Sequence, residues 1–287
     1  MMTFNLRRAS RFDGANGWIH RRDAVADVIL RQAPDILATQ EGTLPMLADL
    51  DERLPGYERI GGDREHWPGE EPNALYYDPE RVHVLDAGVF WLSRTPLIPG
   101  SRTWGDWIGR SALWAHFAYV ETGGTLLVVN THLDHVSMLA RRRAADLVQR
   151  VAPHAVVMGD FNTWPRRYVH TALLEGRQDP LENARHTHNE FTRRDHGRID
   201  WILVPEGLRV LRAEVLVERR PDGGPLSDHR PVIVDIEAPA PAPGVGRAPE
   251  PPRRWTRDTP VETKLPPAPS TLAAPRRSDA VPVEPRG

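Results

Sequence analysis

Residues 1–237 read as apolar runs of strand length interleaved with helical stretches, and run after run ends in an amide, a carboxylate or an imidazole. Strand-like runs lie at 2–6, 35–40 (DILATQ), 74–77, 82–92, 113–120, 126–130, 155–158, 199–204, 210–217 and 232–236. Helical periodicity marks 22–32, with Val25, Val28 and Ile29 on one face, and also 44–54 and 136–151, the last with three arginines on its exposed side. Strand–helix–strand crossovers occur beside consecutive strands. That mixture predicts mixed sheets packed together with helices outside, in a single α/β domain over 1–237.

The pattern stops at residue 238. Of 28 prolines, 13 fall in the last 50 residues, where no hydrophobic period survives. Such a segment buries too little apolar surface to offset its ordering entropy, so 238–287 is expected to be a Pro-rich, disordered tail, partly polyproline II. The tail carries 8 basic and 5 acidic residues, a charge of +3, and residues 1–237 carry −5. An acidic body argues against a tight, non-specific binder of duplex nucleic acid. The lack of Cys excludes disulfides, thiolate metal sites and cysteine nucleophiles. Lys264 is the only lysine, which excludes a Schiff-base or P-loop lysine from 1–237. The N-terminal residues lack the apolar core of a signal peptide, and no stretch approaches the roughly 18 apolar residues of a membrane helix. A soluble, cytoplasmic protein without a membrane span or an evident obligate protein partner is expected.

The polar strand ends carry the functional signal. Asn5 closes the first run, Gln40 and Glu41 the second, and Asn130, Thr131 and His132 follow LLVV. Asp160 and Asn162 follow AVVMG, Asp200 lies in RIDWILV, and Asp228 and His229 precede PVIVDI. Each has a bland explanation on its own. Asn5 suits a turn, Glu41 a helix N-terminus, GDFN a tight turn whose side chains bond their own backbone, and SDHRP the entry to an edge strand. Six such coincidences in one chain make the bland explanations poor together, since α/β scaffolds place their chemistry on loops at strand ends.

The ordered series TFN, TQEG, NTHLDH, GDFN, RIDWIL and SDHRPV resembles the endonuclease/exonuclease/phosphatase superfamily, across essentially all of 1–237. The run FWLSRTPLIPGSRTWGDWIGRSALWAHF looks like a bacterial branch of metal-dependent hydrolases. The resemblance implies a deoxyribonuclease-I-like, four-layer α/β sandwich, with two mixed β-sheets face to face and helices outside. It also implies a Mg2+ or Mn2+ cofactor and hydrolysis of a phosphate ester by metal-assisted, in-line attack of water.

On that resemblance Glu41 is the direct metal ligand, with Asn5 and Asp228 in the metal's surroundings. Carboxylates, amides and water make an all-oxygen shell that suits Mg2+ or Mn2+ rather than Zn2+. Asp160 positions or deprotonates the attacking water, and Asn162 holds a phosphoryl oxygen. Asp228 orients His229, which faces the phosphate as acid, base or charge stabiliser. His132 faces the phosphate from the other side, paired with Glu71 or the adjacent Glu70. Arg110, in IGRSALW, binds phosphate through its guanidinium. Asp200 and Gln40 support the contacting residues from behind.

Two rivals fail on the residues. A zinc hydrolase of the H-x-H-x-D-H type would need histidine where Asn130 stands, and it leaves GDFN and SDH unexplained. Ser227, Asp228 and His229 cannot form a triad, because three consecutive side chains do not line up as nucleophile, base and orienter. A phosphodiesterase or nuclease-type enzyme acting on nucleic acid or nucleotides is expected, with a phosphatase or phosphodiesterase of a lipid or small phosphorylated metabolite as the alternative; the choice is left to the loops 61–72, 96–110, 163–168 and 183–197, which carry Trp67, Trp104, Trp107 and Trp164. Exposed tryptophans there would stack on bases or sugars or rest on lipid; otherwise they pack beneath the loops. The run Arg141–Arg143 reads as a solvated helix face or a phosphate patch. A non-catalytic binding module on the same fold is the least favoured alternative, because the matched catalytic positions are chemically intact.

Overall fold

Strict alternation along the strands sorts their side chains into separate cores. In the computed structural model, which describes residues 1–62, 72–182, 184, 186–191, 196–241 and 255–268, a six-stranded and a seven-stranded mixed sheet lie face to face. The first contains β1 (Met2–Asn5), β2 (Ile36–Gln40), β3 (Glu58–Gly61), β4 (Ala74–Tyr77), β11 (Val210–Val215) and β12 (Val232–Ile236), in the order β11-β12-β1-β2-β4-β3. The second has the order β13-β5-β6-β7-β8-β10-β9. Its strands are β5 (Val82–Trp91), β6 (Ser111–Tyr119), β7 (Thr125–His132), β8 (Val156–Asp160), β9 (Arg177–Gln178), β10 (Asp200–Pro205) and β13 (Glu262–Thr263). Helices α1 (Trp18–Gln32) and α2 (Leu44–Arg53) cover the first sheet; α3 (Met138–Val151) and α4 (Tyr168–Leu174) cover the second.

Each central strand is buried on both faces. Leu126 and Val128 of β7, Val156 and Met158 of β8, and Ile202 and Val204 of β10 point between the sheets, with Ile36 and Ala38 of β2 opposite them. Their neighbours Leu127, Val129, Val157, Trp201 and Leu203 point outward to α3 and α4, as Leu37 does to α1 and α2. Apolar burial on two faces explains why these strands read as continuous hydrophobic runs. β1–β2 and β7–β8 pair in parallel and therefore need the crossovers supplied by α1 and α3. α3 starts at Ser137, whose hydroxyl accepts from the Ala140 N–H at 3.1 Å. Gly159 of β8 packs so closely on β7 that a Cβ there would collide with the Thr131 carbonyl.

The expected strands and helices occur within a few residues of their sequence bounds. β3, β9, β13 and α4 were not anticipated, being short and weakly patterned. The largest departure is in the tail. Residues 255–268 are built into the fold: β13 adds to β5 in parallel, with Glu262 opposite Gly88 and Thr263 opposite Val89. Trp255 and Val261 are buried in the core between the sheets, and the Tyr77 hydroxyl donates to the Trp255 carbonyl at 2.6 Å. The Trp114 indole donates to the Lys264 carbonyl at 2.9 Å, and the Lys264 ammonium lies 2.6 Å from Asp86. Gly88 leaves room for the Lys264 stem, whose Cγ would lie 2.6 Å from an added Cβ. An edge strand leaves backbone groups unpaired, and two large apolar side chains suffice to dock a partner there without any periodicity.

Behind β10, the Arg198 guanidinium binds Asp179 through two hydrogen bonds, at 2.9 and 2.5 Å, and lies 4.0 Å above the Trp201 ring. His170 sits 3.3 Å from the same carboxylate. Burial would raise the Asp179 pKa, but hydrogen bonds from Arg198 and His170 outweigh it and hold the carboxyl well below its usual range. A depressed folded pKa stabilises above the unfolded value, near 4, and that stability is lost as pH falls through the folded pKa. Asp179→Ala leaves a buried guanidinium unpaired and is expected to cost about 3–5 kcal/mol in urea unfolding at neutral pH. A loss below about 1 kcal/mol would show that the pair does not brace β10.

Candidate active site

The strand parity that builds the inter-sheet core also builds the site. Asn5, Gln40, Asn130, His132, Asp160 and Asp200 lie in step with the inward residues of β1, β2, β7, β8 and β10, at one end of the sandwich. Register brings His132 opposite Asp160, and Asp160 opposite Asp200. Below them Gln40 donates to the Asn130 carbonyl oxygen at 2.8 Å and to Thr3 at 3.1 Å. Asn130 in turn donates to the Thr39 and Ala74 carbonyls. These buried amides tie the two sheets together.

Asp160 is the centre. Its Oδ2 accepts from Asn5 Nδ2 at 3.1 Å and lies 3.4 Å from His132 Nε2 and 3.9 Å from His229 Nε2. Its Oδ1 accepts the backbone N–H of Asn162 at 2.8 Å. Burial first, and then the Asp200 carboxylate, push Asp160 up to about 7, against the pull of His229. The Asn162 side chain donates to the Leu133 carbonyl at 2.9 Å, and its backbone is left-handed at φ 46°. Glu41, also left-handed at φ 61°, stands across from Asp160. Its carboxylate accepts from Asn5 Nδ2 at 2.9 Å and from the Arg8 N–H at 3.0 Å. Burial would raise its pKa, but His229 and these two donors hold it low. Two non-glycine residues at positive φ in one site are a local strain typical of functional positions.

The two imidazoles are pushed in opposite directions. Arg110 Nη1 lies 3.0 Å from His132 Nδ1, and a guanidinium can only donate, so the His132 proton is on Nε2, facing Asp160. Burial, then the charge of Arg110, push the His132 pKa well below its ordinary value, keeping the ring neutral. His229 Nδ1 donates to Asp200, whose oxygens lie 2.9 and 3.1 Å away. Burial would lower the His229 pKa, but Asp200, Asp160 and Asp228 together raise it well above the ordinary value. This corrects the expected partner. Asp200 orients His229, and Asp228 instead accepts from the Ser227 hydroxyl at 3.2 Å and lies 3.5 Å from Arg7. The Nδ1 proton of His229 is taken by Asp200, while Asp228 is engaged by Ser227 and Arg7.

Ligand atoms of Glu41, Asp160 and His229 lie within 4.8 Å of one another, and so do those of His188, Asp228 and His229. The carboxylates of the first group suit a hard divalent cation. Asp160 also stands beside two further carboxylates, Asp200 and Glu41, whose charge such a cation would offset. The site residues therefore fit a divalent metal. Asn5 bridges the two carboxylates: its Nδ2 donates to Glu41 and Asp160 while its Oδ1 accepts the Arg7 N–H at 2.9 Å. It positions the carboxylates rather than adding an oxygen beside them, and Asp228 stands in the second group rather than with Glu41.

Residues 2–229 match the profile of the Endonuclease/Exonuclease/phosphatase family. The chain belongs to this family. Members of the family are phosphoric ester hydrolases. Among solved structures, the fold superposes on a mannosyl-6-phosphatase from Bacteroides thetaiotaomicron with a TM-score of 0.76 at 32% identity, covering 82% of this chain and 98% of the other. A functionally unknown conserved protein from Enterococcus faecalis gives 0.76 at 28% identity, covering 83% and 100%. The human Nocturnin catalytic domain, at 19% identity, TM-score 0.65 and 82% and 92% coverage, shares the fold.

Several endonuclease/exonuclease/phosphatase residues of this chain sit where sequence alone did not place them. Arg110 is buried behind His132, with its second amine 3.3 Å from His135 Nδ1. There it is placed to set the His132 tautomer. Glu70, Glu71 and Trp67 lie outside the described residues. Trp104 is half-buried against the outer core, while Trp107 and Trp164 are exposed. Arg21 was missed. Fully buried on α1, it donates to the carbonyls of Asn16, Leu6, Arg7 and Leu226, and so clamps the loop after β1 to the one before β12. Nothing distinguished it from 35 other arginines except its place on the apolar side of a helix. His188 was also missed; its ring lies 4.7 Å from that of His229. The polar string HTHNE was the available signal, but in a loop it has no period to fix its direction.

Proposed function

We propose that this protein is a divalent-metal-dependent hydrolase of phosphate esters that uses in-line attack of water, with Mg2+ or Mn2+ as the metal. The observation that carries it is Asp160, a buried carboxyl poised near neutrality between two imidazole N–H groups. Glu41 and Asp160 would hold the cation. When bound it would act as a Lewis acid on the phosphoryl oxygens. Asp160, beside the cation, positions the attacking water and accepts its proton. The Nε2–H groups of His132 and His229 donate to the charge that develops on the phosphoryl group. Asp200 holds His229 by Nδ1, Arg110 holds His132 by Nδ1, and Asn162 donates from the turn after β8.

A nuclease or phosphodiesterase and a phosphatase of a small metabolite share this chemistry. The second is favoured by the likeness to a mannosyl-6-phosphatase over nearly the whole of that chain, and by the acidic body. Chelation with EDTA is expected to abolish hydrolysis, and Mg2+ or Mn2+ to restore it. The assay is a panel of plasmid DNA, RNA, bis-p-nitrophenyl phosphate, sugar phosphates, nucleotides and phospholipids. Full activity in metal-free buffer would overturn the metal requirement, and hydrolysis confined to polynucleotides would overturn the preference for a small substrate.

A further inference from the structure

Beside the site, on the side of Asn162, a pocket of about 380 Å3 opens between α3 and the loop that leads into α4. Its volume lies within the roughly 300–1,000 Å3 of small-molecule sites. Arg141 and Arg142 of α3 and Arg167 at the start of α4 line it, with Trp164 and Tyr168 between them. Among the described residues none of the three guanidiniums has a carboxylate at ion-pair distance; Arg141 donates to the Asp134 carbonyl at 2.7 Å, and Arg142 lies 5.3 Å over the Tyr168 ring. Trp164 is 55% and Tyr168 49% exposed, although each is aromatic and lines a concavity. Asn162 belongs to both the pocket and the site, and Arg141 is near enough to feel the charge of Asp160.

We infer that this pocket binds the part of the substrate beyond the scissile phosphate, and that this part is a ring bearing a second phosphate. Cations without carboxylate partners beside a phosphate-cleaving centre call for a second anion. The planar guanidinium matches phosphate through two parallel hydrogen bonds. The exposed ring of Trp164, with Tyr168 beneath Arg142 beside it, calls for a flat or apolar ring, a base or the face of a sugar, held between the two phosphates. Arg141 and Arg142 were legible in the sequence only as part of a basic run; the fold adds Arg167 and the aromatics. The inference rests on the proposed hydrolysis for the orientation of the substrate.

The test compares kcat/KM within two pairs, with Mg2+ present: adenosine 3′,5′-bisphosphate against adenosine 5′-monophosphate, and a hexose 1,6-bisphosphate against the hexose 6-phosphate. At least one bisphosphate is expected to be preferred by roughly 10–100-fold, the scale of one or two charge-assisted contacts. The pair that shows it identifies the ring. In the Arg142→Ala/Arg167→Ala double variant the ratio should fall towards one. Equal kcat/KM within both pairs, or a preference that survives the double variant, would overturn the subsite. Binding separates this from a failure of the hydrolysis reading. Calorimetry with the Asp160→Asn protein should show the preferred bisphosphate bound at least about 10-fold more tightly than its monophosphate, and the added double variant should abolish that difference. No hydrolysis of any ester, with the binding difference intact, would overturn the proposed activity and leave the pocket's specificity standing. No binding difference would overturn the pocket.

Discussion

Asp160→Asn is expected to lower kcat by roughly 10²–10⁴-fold, the worth of a general acid–base group, with a smaller effect on KM. His229→Ala should fall in the same range, because both groups act on charge and protons that move in the transition state. The folded state responds in the opposite sense. Asp160 is held at about 7, above its value in the unfolded chain, by burial and by Asp200. An acid whose folded pKa is raised is bound to its proton more tightly when folded. It therefore destabilises progressively as pH rises from the unfolded value, near 4, to the folded one. Removing that carboxyl should leave the melting temperature of the metal-free protein unchanged or raised at pH 7. Loss of activity with stability retained is the signature of a site that trades stability for function. If Asp160→Asn or His229→Ala kept near-normal kcat while folded, the role given to that residue would be wrong. If both did, hydrolysis would run through other groups of the fold.

Trp255→Ala is expected to destabilise the protein by about 3–5 kcal/mol, as for other fully buried aromatic side chains. At this chain length that lowers the melting temperature by about 10 °C. Truncation after residue 241 should do at least as much, since it also removes Val261, β13 and the Lys264 contacts to Trp114 and Asp86. Both variants should keep kcat on a small phosphate ester below their melting temperatures, because β5, β6 and β7 stand between β13 and β8. Thermal unfolding followed by circular dichroism checks the first expectation and a steady-state assay the second. An unchanged melting temperature in both variants would mean that residues 255–268 contribute nothing to the folded protein. A selective loss of kcat would place the segment in the chemistry instead.

The sequence by itself determined the order of strands and helices and the identity of the polar residues at the strand ends. Both are local: a period of two or 3.6 shows in a short window, and a carboxylate or imidazole at the end of an apolar run has few bland uses. In the same way the parity that sends Asp160 and Asp200 inward with Met158 and Ile202 was already written in the chain. Only the tertiary structure decided which of these groups would meet. His229 is held by Asp200, 29 residues away in the chain, and not by its neighbour Asp228. Arg110 stands behind His132, and Arg142 shares a pocket with Arg167. Trp255 and Val261, from a proline-rich segment, are buried in the core between the sheets. Such pairings depend on how two sheets stack and where loops return. That geometry is set by burial summed over the whole chain, so no short window of residues contains it.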